Sequence, residues 1–98
     1  MSDPEQPGWS FLTNHAHVLV CIADDAGMRV RDIAQRVGIT ERATQRIISD
    51  LVADGYVSRE RRGRRNVYAV HGEQPFRHPL EQHREIGALL GLLVSDRR

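Results

Sequence analysis

With 98 residues the chain is one domain's worth, leaving little room for a separate catalytic or ligand-binding lobe. Its 40% apolar and 28% charged residues are those of an ordinary soluble globular domain. No apolar run nears the ~18 residues a membrane span needs, the longest being Val18 to Ala23. The single cysteine, Cys21, excludes an intrachain disulfide and fits a reducing cytoplasm. The acidic, polar start is not a signal peptide, and residues 1–8 read as a disordered tail. The net charge of +1 hides an asymmetry: residues 29–65 hold ten arginines against five acids, and the rest holds four arginines against eight. So concentrated a basic segment is the footprint of a polyanionic partner.

Thr13 is a good N-cap for a first helix, about Asn14 to Asp25. Its middle is apolar on nearly all sides, so more than one neighbour must bury it. Gly27 can end it in the left-handed conformation. Met28 to Val30 reads as a short extended piece. A two-turn helix follows over Asp32 to Val37, with Ile33, Ala34 and Val37 on one face. Gly38-Ile39-Thr40 is then a three-residue turn whose threonine caps the next helix, Glu41 to about Asp54. Ala43, Ile47, Ile48 and Leu51 form its inward stripe, with Thr44 at the edge. Gly55 stops it. Tyr56 to Arg61 and Asn66 to Val70 read as two strands joined by a turn at Arg62-Gly63-Arg64-Arg65, a β-hairpin. After a loop with Pro75 and Pro79, the latter opens a last helix, about Leu80 to Val94.

Two helices joined by a Gly-containing three-residue turn make a helix-turn-helix, and the hairpin after it makes a wing. The expected fold is mainly α with a small antiparallel β-hairpin wing, plus a C-terminal helix. Residues 9–72 form the winged helix-turn-helix, and residues 73–98 a loop and helix serving dimerisation. The stretch from Gly38 through Val57, with its exit Leu51-Val-Ala-Asp-Gly-Tyr-Val57, resembles the turn and recognition helix of winged helix-turn-helix regulators of the MarR and ArsR type. The resemblance covers roughly residues 13–70. It implies a bacterial transcription regulator that binds double-stranded DNA, not an enzyme.

A major groove admits one helix and displays a distinguishable donor and acceptor code. A recognition helix therefore needs an apolar stripe on one side and polar, fork-shaped side chains on the other. Glu41, Arg42, Gln45 and Arg46 meet this need at base edges: arginine suits guanine, glutamine adenine, and glutamate can accept from cytosine. Thr40 and Ser49 are candidates for phosphate contact. In the wing, Arg61, Arg62, Arg64 and Arg65 crowd one glycine turn, and such like charges repel unless an anion neutralises them. Phosphates or a narrow minor groove are natural counterparts, with Asn66 as a further hydrogen-bonding group. The bland alternative is a hairpin tip that charge protects from edge pairing.

Five histidines invite a metal site, but His15 and His17 are two apart on a helix, and His78 and His83 straddle Pro79. No metal or other cofactor is expected. Cys21, in the most apolar helix, reads as a buried structural thiol. Two apolar clusters flank the basic middle: Trp9 and Phe11 before the first helix, and Ile86, Leu89, Leu90 and Leu93 on the last. Both read as a homodimer layer, the alternative being that they pack on each other within one subunit. Gly87, Ala88 and Gly91 form a small-residue ridge beside the second. The competing functional reading is a winged-helix interaction module for an acidic protein partner. That version would show exposed aromatics where this chain carries arginine. Structured RNA is a third candidate, though only Tyr56 and Tyr68 lie near the wing to stack on bases.

Overall fold

The computed structural model describes residues 8–94, so the expected tail falls, apart from Gly8, outside the described residues. Thr13 caps α1 (Asn14–Asp24), accepting the Ala16 amide at 3.3 Å. The helix ends one residue before the expected boundary. Asp25 is extended, and its carboxylate accepts the Gly27 amide at 3.0 Å. That Asx turn makes the reversal, so Gly27 does not adopt the left-handed conformation expected of it. The second helix, α2 (Val30–Val37), begins earlier than the pattern suggested, because the Ile33 amide already closes a turn on the Arg29 carbonyl at 3.0 Å. Gly38 follows at φ 90°, and the amides of Gly38 and Ile39 both return to the Ala34 carbonyl. Only glycine takes that backbone without a steric cost.

Thr40 caps α3 (Glu41–Ala53) by accepting the Ala43 amide at 3.0 Å. One correction concerns its inward face. Thr44, expected at the edge, is wholly buried, and Ala43 is half-buried. The Thr44 hydroxyl donates to the Thr40 carbonyl at 2.9 Å, which removes the penalty of burying it. After left-handed Gly55, β1 (Val57–Arg62) pairs antiparallel with β2 (Arg65–Val70), from Val57 opposite Val70 to Arg62 opposite Arg65. The turn is therefore only Gly63-Arg64, shorter than the sequence suggested. Gly63 at φ 63° takes the first central position, as in a type II′ turn.

The last helix is the largest departure. It is α4 (Ile86–Val94), and Pro79 lies in a series of turns before it. In a helix begun at Pro79 the Ile86 amide would bond to Gln82. Instead it donates to the Gln74 carbonyl at 2.9 Å, while the Phe76 amide takes the Arg84 carbonyl at 3.0 Å. These bonds close an antiparallel bridge, Pro75 with Glu85, that displaces the helix start. The small-residue ridge is used here too. The Gly87 amide donates to the Gly72 carbonyl at 2.9 Å, so a loop of the same chain covers Gly87.

α1 is the hub, packing against α2, α3, α4 and β2. Ile22, Ile33 and Ile48 are essentially inaccessible at its contacts, each worth about 1.5–3 kcal/mol of burial. Cys21, Val57 and Tyr68 complete the core beside them. No described helix is long and apolar enough to cross a membrane.

Candidate nucleic-acid interface

The capped turn aims α3 outward. With Thr44, Ile47, Ile48 and Leu51 buried, the opposite face carries Glu41, Arg42, Gln45, Arg46 and Ser49, all exposed. None of these five side chains is engaged in a hydrogen bond or ion pair among the described residues. Asp50 is held instead by His15 of α1 at 2.9 Å. Thr40 is exposed but committed to its cap, which leaves only its hydroxyl hydrogen for an outside acceptor.

The five hydrogen-bonding side chains expected of the wing divide by what holds them. Arg61 folds back onto the Gly63 carbonyl at 3.1 Å. Arg62 lies 3.4 Å from Glu60, but both side chains are about two-thirds exposed, at 66% and 65%, so the pair is weak. Arg62 also stands directly opposite Arg65, a like-charge pair that opposes the hairpin. Arg64 and Asn66 make no side-chain hydrogen bond or ion pair among the described residues. Arg65 is a structural surprise: its guanidinium reaches 38 residues back to the Gly27 carbonyl. The Tyr68 amide donates to the neighbouring Ala26 carbonyl at 3.0 Å. The wing is thus braced against the α1–α2 loop and held at a set position relative to α3.

The expected subunit-contact residues do not stay together. Ile86 and Leu90 are 4% and 8% exposed and belong to the chain's own core. The helix that carries them starts just after the bridge at Pro75 and packs on α1. Leu89 is half-buried in an open groove of about 410 Å³ between the N-terminal segment, α1, the end of α3 and α4. Exposed apolar surface remains at Leu93 and also at Leu92, which lies off the helically spaced stripe and was not expected to contribute. Trp9 and Phe11 stay largely exposed and pack edge to face, centroids 5.0 Å apart. Tyr56 borders the groove and donates to the Pro75 carbonyl. Burial raises its pKa above the usual tyrosine value, Arg77 works against that rise, and Asp54 adds to it. Among the described residues, no three His, Cys, Asp or Glu side chains lie close enough to hold a metal ion.

The sequence model of the MarR family matches residues 10–65, more than half of the chain, from just before α1 to the start of β2. The chain belongs to the MarR family. That membership bears out the MarR side of the resemblance read from the turn, recognition helix and wing. Among solved structures this MarR-family chain is similar to the PcaV transcriptional regulator from Streptomyces coelicolor, determined in complex with its natural ligand. The two are 19% identical with a TM-score of 0.57, over 88% of this chain and 54% of PcaV. The likeness establishes the winged-helix fold, and this chain spans about half the length of PcaV. No curated protein matches the chain.

Proposed function

We propose that this MarR-family chain is a transcription regulator that binds double-stranded DNA sequence-specifically as a homodimer. The single observation carrying this is the pairing of two exposed polar surfaces at a braced spacing. One is the face of α3 with Glu41, Arg42, Gln45 and Arg46, whose side chains have no partner among the described residues. The other is the arginine-rich wing. The α3 face enters the major groove and reads base edges. Arg61, Arg62, Arg64 and Asn66 lie along phosphates or the adjacent minor groove, with Ser49 and Thr40 contributing to backbone contact. Arg65 contributes charge while bracing the wing.

One recognition helix makes few base contacts, and a two-fold dimer doubles them on an inverted repeat with half-sites about 10 bp apart or a multiple. The exposed apolar residues at both ends, Trp9, Phe11, Leu92 and Leu93, support such an assembly, with Leu89 at its margin. Sequencing the genomic fragments retained by the purified protein at moderate salt tests the reading. Enrichment of an inverted repeat supports it. Fragments no different from input, together with retention of an acidic protein instead, would replace it with the interaction-module reading.

A further inference from the structure

A second concavity, of about 310 Å³, lies between the start of α2 and the base of the wing. Arg29, Arg64, Arg65 and Asn66 line it, with Val30 and Tyr68 as its apolar wall. No carboxylate is among the lining residues. The side chains of Arg29 and Arg64 have no hydrogen-bond or ion-pair partner among the described residues. Arg65 donates to the Gly27 carbonyl, which fixes its guanidinium at the rim while other N–H groups of its five remain to be used. Three arginines thus line one hollow with no residue of opposite charge among its lining. Such an arrangement costs free energy until an anion enters, and the guanidinium fork matches phosphate oxygens.

We infer that this hollow seats a backbone phosphate of the DNA duplex, and that Arg29, which belongs to neither the recognition helix nor the wing, is one of its ligands. The inference rests on the DNA-binding reading above and deepens it. A phosphate between α2 and the wing base would fix the register of the whole module on the duplex without reading sequence, as backbone contacts do. The neighbouring Arg31 is also exposed but does not line the hollow. It therefore separates a seat from a general field of positive charge.

The test measures binding of wild type, Arg29→Ala and Arg31→Ala to an enriched duplex and to random duplex, by anisotropy across a salt series. Arg29→Ala should weaken both duplexes by the same factor and lower the slope of log K against log salt by ~0.9 for each phosphate it no longer neutralises. Arg31→Ala should leave the slope nearly unchanged. An unchanged slope for Arg29→Ala, or equal slope changes for both variants, overturns the seat while leaving DNA binding in place. A wild type that binds neither duplex removes the DNA reading and the seat together. Because Arg29 is exposed and forms no side-chain bond among the described residues, thermal unfolding of its variant should match wild type. If it does not, Arg29→Lys keeps the charge and supplies the comparison: a seat requires Lys to restore most of the wild-type slope.

Discussion

The two glycines of α4 give opposite expectations for the same substitution. In an exposed helix interior Gly→Ala stabilises by up to ~1 kcal/mol, by restricting the unfolded chain and improving helix propensity. At Gly91 an added methyl meets nothing within 4 Å, so Gly91→Ala should realise most of that gain. At Gly87 the added carbon would lie 2.9 Å from the Gly72 carbonyl oxygen and 3.4 Å from its carbon and Cα. Those atoms are backbone, and the Gly87–Gly72 and Ile86–Gln74 hydrogen bonds hold them, so no side chain can swing aside. Overpacking of this kind costs ~1–3 kcal/mol, and Gly87 sits in the first turn, where the propensity gain is smaller. Gly87→Ala should therefore destabilise by ~1–2 kcal/mol net, and Gly91→Ala should stabilise by ~0.5–1 kcal/mol. For a domain of this size that separates their midpoints by ~6 °C or more. Thermal unfolding followed by circular dichroism checks both. Repeating it at several protein concentrations separates an effect on association from one on the fold. Equal stabilisation by the two substitutions would refute the crossing of Gly72 over α4.

On α3, Gln45→Ala or Arg46→Ala should each cost ~1–3 kcal/mol at the preferred site and relax preference at one base pair, with helicity unchanged. Equal losses on random duplex would make these residues phosphate contacts. The raised pKa of Tyr56 means that folding favours its neutral phenol, which donates to Pro75. Its stabilisation is complete below the unfolded tyrosine value of ~10 and is lost as pH rises through the higher folded value. Urea unfolding from about pH 8 to about pH 11, a window around that value, should show stability falling more steeply for wild type than for Tyr56→Phe, and identical pH profiles would count against this. Leu92→Asp/Leu93→Asp should convert a light-scattering dimer into a folded monomer with weak operator binding. A wild type that stays monomeric at tens of micromolar would remove the dimer.

Elements whose hydrogen bonds are local were legible in the sequence. Thr13 and Thr40 announce helix starts because a hydroxyl three residues before an open amide satisfies it, and both do so here. Gly38 and Gly63 mark the turns for a similar reason: each backbone conformation needs a missing Cβ. What was not legible depends on long-range partners. Nothing near Pro79 signals that the Ile86 amide will pair with Gln74, so a proline suited to a first helical position suggested a longer helix than forms. Ile86 and Leu90 were expected at a subunit contact because they belong to a helically spaced apolar stripe. Apolar spacing shows that a stripe will be buried, not whether α1 of the same chain or another subunit buries it. Thr44 was misplaced because polarity was read as exposure, though a hydroxyl bonded to a carbonyl one turn back is easily buried. The exposed face of α3 followed from helical spacing alone. The division of labour within the wing did not, because Arg65 finds its carbonyl 38 residues away.

That distant contact bears on how a reader of DNA must be built. Major-groove and backbone contacts reinforce each other only if the elements making them keep a set spacing, since ordering a loose hairpin at the moment of binding would cost entropy for each residue fixed. An isolated two-stranded hairpin is marginal in water, and this one carries Arg62 opposite Arg65. Its inner end is secured by Val57 and Tyr68 in the core, and its length by the Tyr68–Ala26 bond and the Arg65–Gly27 contact. Both braces end on the loop between α1 and α2, whose shape depends on the Asp25 Asx turn and whose far side leads directly into Arg29. Wing and phosphate seat are thus referred to one short loop. Disturbing Asp25 or Gly27 should move both contacts together, although neither residue has a side chain suited to binding DNA.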